Sequence, residues 1–188
     1  GGWTFDIPSA DAFSEHISLS VPSYKESHEV ISDISDFYVH DNSKVFDIGC
    51  SLGDLIKALS LKHANKRDVE FIGIESSEQM ASHAKERLTN YPVKIIHGNA
   101  LEQDFSSCSF AVLHYMLQFI SKSNRLRLVQ NLYNGLEEGG AILIFEKVRC
   151  SDPEIYDMLL SSYDMFKRRS GFTPDQIDMK RQSLKGVL

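Results

Sequence analysis

Lys44-Val45-Phe46-Asp47-Ile48-Gly49-Cys50-Ser51-Leu52-Gly53-Asp54 is the stretch on which the reading of this chain turns. Val45, Phe46 and Ile48 form a short apolar run that fits a strand buried on both faces. Gly49 and Gly53 break the run, and a helical pattern begins with Leu55, Ile56 and Leu59. A strand, a glycine turn and a helix start, in that order, make a site for a nucleotide-like ligand. The glycines let ligand atoms approach the backbone, and the N–H groups of the first helical turn face them. The spacing Asp47-x-Gly49-x-Ser51-x-Gly53 is not the dinucleotide fingerprint G-x-G-x-x-G. Glycines at such a turn also arise for purely structural reasons, so a second signal is needed.

That signal lies in Glu70-Phe71-Ile72-Gly73-Ile74-Glu75, a second buried strand that ends in a carboxylate. Glu75 lies 22 residues beyond Gly53. An acidic side chain at this distance, at the tip of the next strand, is placed to accept the hydroxyls of a ribose. The other reading is that Glu75 caps the helix that follows Ser76-Ser77. Strand, spacing and residue type together favour the ribose.

The 188 residues suit one domain with a real core, and 42% are hydrophobic, as in ordinary globular chains. No apolar run reaches the length of a membrane span and no signal peptide is visible, so no membrane partner is expected. Cys50, Cys108 and Cys150 have no metal-ligand spacing and suggest no disulfide framework, which points to a reducing cytoplasm. The histidines form no cluster, and no metal site is expected. The net charge of −6 is uneven: residues 1–44 carry eight acidic and two basic side chains, and the rest of the chain is balanced. This is not the footprint of a general nucleic-acid binder, and direct nucleic-acid binding is not expected.

Taken in order, Phe13 and Ile17 suggest a short helix, Pro22-Ser23-Tyr24 interrupts it, and Val30, Ile31, Ile34, Phe37 and Tyr38 continue at helical spacing. Strands at 45–49 and 70–75 are followed by helices at about 53–63 and 77–90. Val93–His97 and Phe110–Leu113 read as the third and fourth strands, with a helix at about 122–136. Gly139-Gly140 is expected to turn the chain into a fifth strand, Ala141–Glu146. Helices follow at 152–169 and from Thr173-Pro174 to about 185, with Thr173 as N-cap. Strands alternating with helices predict an α/β, doubly wound, mostly parallel sheet. One domain, 1–188, is expected, with a helical cap at 1–43, the sheet core at 44–148 and C-terminal helices at 149–188. A ligand would lie beyond the carboxyl ends of the strands.

The pattern around Asp47 resembles motif I of the S-adenosylmethionine (SAM) methyltransferases, E/D-x-G-x-G-x-G, with Ser51 at the middle glycine. The resemblance narrows further. Trp3-Thr4-Phe5-Asp6, Pro22-x-Tyr24, Asp47 to Gly53, Leu117-Gln118-Phe119, Gly139-Gly140-Ala141 with Glu146-Lys147, and Phe166-Lys167-Arg168 with Lys180-Arg181 occur in order. The series is similar to the carboxy-S-adenosylmethionine synthases of tRNA wobble-uridine modification. Those enzymes have the Rossmann-like methyltransferase fold and make carboxy-SAM from SAM and prephenate. The resemblance implies SAM as cofactor, with Asp47, Gly49, Cys50, Ser51 and Gly53 around its methionine and ribose portions. Glu75 with Ser76 would hold the ribose, Asn99 and Ala100 would sit at the adenine, and Tyr24 would close over the methionine end. Two departures matter. His114 stands where the family has Asn at the fourth strand tip. The family's terminal β-hairpin, with an Arg that pairs with the product carboxylate, would begin beyond Leu188.

At the chemical centre, His114 and Tyr115 are the candidate catalytic residues. Transfer from a sulfonium is mostly positioning, and a base is needed only for an acceptor that must lose a proton. His114 can be that base or a neutral wall of the pocket. His97 reads as a packed or strand-end residue. Lys167-Arg168-Arg169 and Lys180-Arg181 read either as a grip for an anionic substrate or as a solvated face offset by Asp164, Asp175 and Asp178. Three functions follow from these residues: a SAM-dependent methyltransferase with an unnamed acceptor, a carboxy-SAM synthase acting on prephenate, and a SAM-binding subunit without activity. A five-stranded sheet has an edge to protect, and a homodimer is the expected way of covering it.

Overall fold

Side chains that alternate along the central strands supply two apolar layers, one on each face of a sheet. In the computed structural model, which describes residues 17–183, five strands form that sheet: β1 (Lys44–Ile48), β2 (Glu70–Glu75), β3 (Val93–His97), β4 (Cys108–His114) and β5 (Leu136–Phe145). Their order is β3-β2-β1-β4-β5, and every pairing is parallel. The helices are α1 (Tyr24–Ser35), α2 (Asp54–Lys62), α3 (Glu78–Arg87), α4 (Lys122–Gly135), α5 (Pro153–Arg169) and α6 (Pro174–Ser183).

Along β4, Phe110 and Val112 face one way, and Ala111 and Leu113 the other. The first face packs on Ile31 of α1, on Leu55, Ile56 and Leu59 of α2, and on Ala81 and Ala84 of α3. The second packs on Leu128 and Leu132 of α4 and on Phe105. Parallel strands covered on both faces must be apolar on both, and β4 is buried at six of its seven positions. The Tyr38 ring stacks on Phe110 at 5.7 Å, which joins the chain just after α1 to the centre of the sheet.

The chain forms two compact units, residues 27–146 and residues 1–26 with 147–188. The first holds the whole sheet. The divisions fall at Glu26/Ser27, inside α1, and at Glu146/Lys147. In the second unit, the Asp152 carboxylate accepts from the N–H groups of Glu154 and Ile155 and starts α5. Thr173 Oγ1 accepts from Gln176 N–H while Gln176 Oε1 accepts from Thr173 N–H, a reciprocal cap that starts α6. Tyr163 donates its hydroxyl proton to Ser20 O at 2.8 Å. Trp3–Asp6 and Phe13 lie outside the described residues.

The start of β5 corrects one expectation. Gly139-Gly140 is not a turn before the strand but a bulge inside it, since β5 begins at Leu136. Pairing jumps from Cys108↔Leu136 to Phe110↔Ala141, so β4 advances two residues while β5 advances five. Replacing Phe110, which is fully buried, by Ala should cost about 3–5 kcal/mol in urea denaturation. A loss below about 1 kcal/mol contradicts its place between the layers.

Candidate functional site

The turn after β1 is held by the end of β2. Gly49 and Cys50 both donate their N–H to Ile74 O, at 2.8 and 3.0 Å. Ser51 N–H donates to Glu75 Oε2 at 2.9 Å. Gly49 has φ +74°, and a Cβ there would stand 2.8 Å from Cβ of Met116. Gly53, the N-cap of α2, has φ +79°. Both positions need a residue without Cβ. Ser51 also sits in the left-handed region, at φ +54°, which accounts for the glycine that motif I carries at this middle position.

Glu75 joins the turn to the next helix. Its Oε1 accepts from Ser77 N–H at 2.8 Å, and Ser77 caps α3. The capping reading of Glu75 is therefore part of the structure. It does not exclude the ribose, because each carboxylate oxygen has a second lone pair. Behind the turn lies Asp47, 2% exposed. Burial, then the charge of Glu75, pushes its pKa up to about 7, and the N–H of Ile56 pulls the other way. Asp47 Oδ2 and Ser51 Oγ are buried without a hydrogen-bond partner among the described residues. Unsatisfied groups of this kind are costly, and a ligand with donors at the turn relieves the cost. The turn, the buried acid and the strand-tip carboxylate fit SAM, whose ammonium group and ribose hydroxyls supply such donors.

At the tip of β4, His114 Nε2 lies 2.8 Å from Ser27 Oγ of α1. The ring meets His28 edge-on at 4.9 Å, Tyr115 at 4.7 Å and Phe145 at 5.6 Å. Burial, and then the neighbouring His28, lower the pKa of His114 to about 3, so the ring is neutral at ordinary pH. Burial also lowers that of His28, against the field of Asp54. Tyr115 has φ +54°, and its N–H donates to Phe145 O at 2.8 Å. Burial, and then Glu146, raise its phenol pKa. Gln118 Nε2 donates to Tyr115 O at 2.7 Å and holds the loop after β4.

In a parallel sheet the ends of β3, β2, β1 and β4 emerge along one edge. Asn99 and Ala100, Glu75 and Ser76, the 49–53 turn, and His114 with Tyr115 follow those ends in that order. Asn99 is exposed and caps a short 3-10 turn, accepting from Leu101 N–H at 3.1 Å, while Ala100 is buried. Ser76 is exposed. His97 pairs in register with Glu75 and is exposed, a strand-end residue. Cys50 is buried, and burial first of all raises its thiol pKa. Tyr24 opens α1 and belongs with the second unit. In that unit Arg181 pairs with Asp164 at 2.6 Å and Asp178 at 3.2 Å, and Lys167 lies 4.2 Å from the Tyr163 ring centre, so these basic residues are engaged locally. Sequence reading missed Ser27 and His28. The available signal was Ser27 on the buried stripe of α1, four residues before Ile31.

Three comparisons bear on these features. Residues 45–140 match the family model of a methyltransferase domain. The chain is 35% identical to the carboxy-S-adenosyl-L-methionine synthase of Staphylococcus epidermidis, over 99% of this chain and 81% of that protein. It is 33% identical to the synthase of the same name from Idiomarina loihiensis, over 98% of this chain and 77% of that one. Among solved structures, the YcgJ protein of Bacillus subtilis shares the fold, with a TM-score of 0.59 at 16% identity, over 83% of this chain and 82% of that chain.

Buried Asp47 and partly buried His114 give pH slopes of opposite sign. The raised pKa of Asp47 means that the folded chain holds its proton more tightly, so stability falls as pH rises from 3.8 to about 7. Asp47→Asn should therefore stabilise the ligand-free protein at pH 8 by at least about 1 kcal/mol, with the gain shrinking towards pH 4 in thermal unfolding. The depressed pKa of His114 means that stability is kept above 6.5 and lost as pH falls towards about 3. His114→Asn should flatten that acid limb, and an unchanged limb would place the ring in solvent.

Proposed function

The chain belongs to the carboxy-S-adenosyl-L-methionine synthase family, and from that membership we propose that it makes carboxy-SAM from SAM and prephenate. It is a SAM-dependent transferase with a Rossmann-like, class I methyltransferase fold. Among the described residues no helix is long and apolar enough to cross a membrane. The three cysteines are all unpaired, which supports a cytoplasmic location as part of the proposal.

The roles follow the strand ends. The 49–53 turn cradles the methionine and ribose portions, with Asp47 behind it as the buried acid. Glu75 orients the ribose with Ser76 beside it, and Asn99 with Ala100 borders the adenine. His114 and Tyr115 border the transferred group. When bound, SAM supplies an activated sulfonium-linked methyl group.

The observation that carries the proposal is the β4 tip. His114 has a pKa of about 3 and a hydrogen bond to Ser27, and such a ring is a poor base for an acceptor that must be deprotonated. Carboxy-SAM synthesis would replace one C–H of the sulfonium methyl by C–COO⁻; conversion of prephenate to phenylpyruvate would release both the CO2 that is added and a hydroxide that takes the proton, so His114 need only position. Methyl transfer is the second reading, favoured by the match to the methyltransferase domain, and it then requires an acceptor already in its nucleophilic form.

Mass spectrometry of small molecules formed on incubation with SAM and prephenate tests this. Carboxy-SAM is expected; S-adenosylhomocysteine formed only when an acceptor is added would establish methyl transfer instead. Glu75→Ala should weaken SAM binding in calorimetry by about 1–3 kcal/mol through loss of charge-assisted hydrogen bonds, and unchanged affinity would remove the ribose role.

A further inference from the structure

Four rings meet at the β4 tip: His114 at the centre, with His28, Tyr115 and Phe145 around it at 4.9, 4.7 and 5.6 Å. They come from three places in the first unit, namely α1, the end of β4 and the end of β5. All four are partly exposed, unlike the closed core formed by Phe110 and its neighbours. The tip also adjoins the SAM turn, since Met116 packs on Gly49. A packing role alone would call for apolar side chains here, and the chain instead places two imidazoles.

The imidazoles would repel a cation if they were protonated. Burial holds both pKa values down, and His28 further lowers that of His114. The charged groups facing this cluster are Asp54 at the start of α2, near His28, and Glu146 after β5, near Tyr115. The Ser27 hydrogen bond acts in the plane of the His114 ring, so it fixes the edge and the direction of the face. The result is a set of neutral aromatic faces within the field of two carboxylates. That is the surface chemistry that recognises a desolvated organic cation.

We propose that His28, His114, Tyr115 and Phe145 form an aromatic wall that recognises the positive sulfonium of SAM, with Ser27 as the residue that positions it. This rests on the SAM reading and deepens it. The wall separates ligands by charge at sulfur: it favours sulfonium compounds over the neutral thioether S-adenosylhomocysteine, which differs at that atom by one methyl group and one charge. His28 thereby becomes a specificity-determining residue outside motif I and outside the strand tips.

The test is calorimetric titration of the full chain with SAM and with S-adenosylhomocysteine. The unmodified protein should bind SAM more tightly. His28→Leu should weaken SAM about fivefold while changing S-adenosylhomocysteine less than twofold, and His28→Phe should restore SAM binding. Tyr115→Leu provides a second ring deletion with the same expected split, should His28→Leu fail to fold. Equal losses for both ligands, no loss for either, or equal behaviour of His28→Leu and His28→Phe would overturn the wall while leaving the cofactor site intact. If neither ligand binds the unmodified protein, the SAM reading itself fails and the wall with it.

Discussion

The carboxylate of Glu75 is the hinge pin of this site. One oxygen takes the N–H of Ser51 and the other takes the N–H of Ser77. A single side chain therefore shapes the turn after β1 and the entry to α3. Hydrogen bonds to a charged acceptor are stronger than neutral ones, and here two neighbouring strand ends share one acceptor. Gly49 and Cys50 reinforce the same joint by donating to Ile74 O. The joint allows Ser51 to hold a backbone conformation that favours glycine, because the donor at that residue has a fixed destination.

The cost of this arrangement appears one layer down. Asp47 lies under the turn, out of water, and the negative charge of Glu75 adds to the penalty of ionising it. Two carboxylates with one buried are a poor design for stability alone. They become favourable when positive charge arrives, as it does with a SAM ammonium and sulfonium. The β4 tip obeys the complementary rule: imidazoles kept neutral by burial do not oppose that charge. Acids below, neutral rings beside and backbone N–H groups around the turn give the site a consistent electrostatic character.

Local pattern made much of this legible. The largely apolar runs at Val45–Ile48 and Glu70–Glu75 located β1 and β2 to within a residue, because a strand buried on both faces is apolar at most of its positions, Asp47 being the exception in β1. Motif I and the 22-residue spacing to Glu75 were equally local signals. Gly139-Gly140 was harder to read. Two glycines look like a turn, and only pairing with β4 shows that the strand already runs on either side of them. The roles of Ser27 and His28 were hard to read for a related reason, since the partner, His114, lies 87 residues from Ser27 at the end of a strand.

The amino-acid order alone determined the alternation of strands and helices, the glycine turn and the acidic strand tip, all set by interactions within a few residues. Tertiary structure decided which atoms those groups hold and what charge they carry. The same His114 would titrate near neutrality in an open peptide; drawn out of water and packed against His28, it does not. Asp47 is likewise an ordinary acid in sequence and a reluctant one in the fold. Protonation depends on water and on neighbours brought close by long-range packing, and neither is written in the local order of residues.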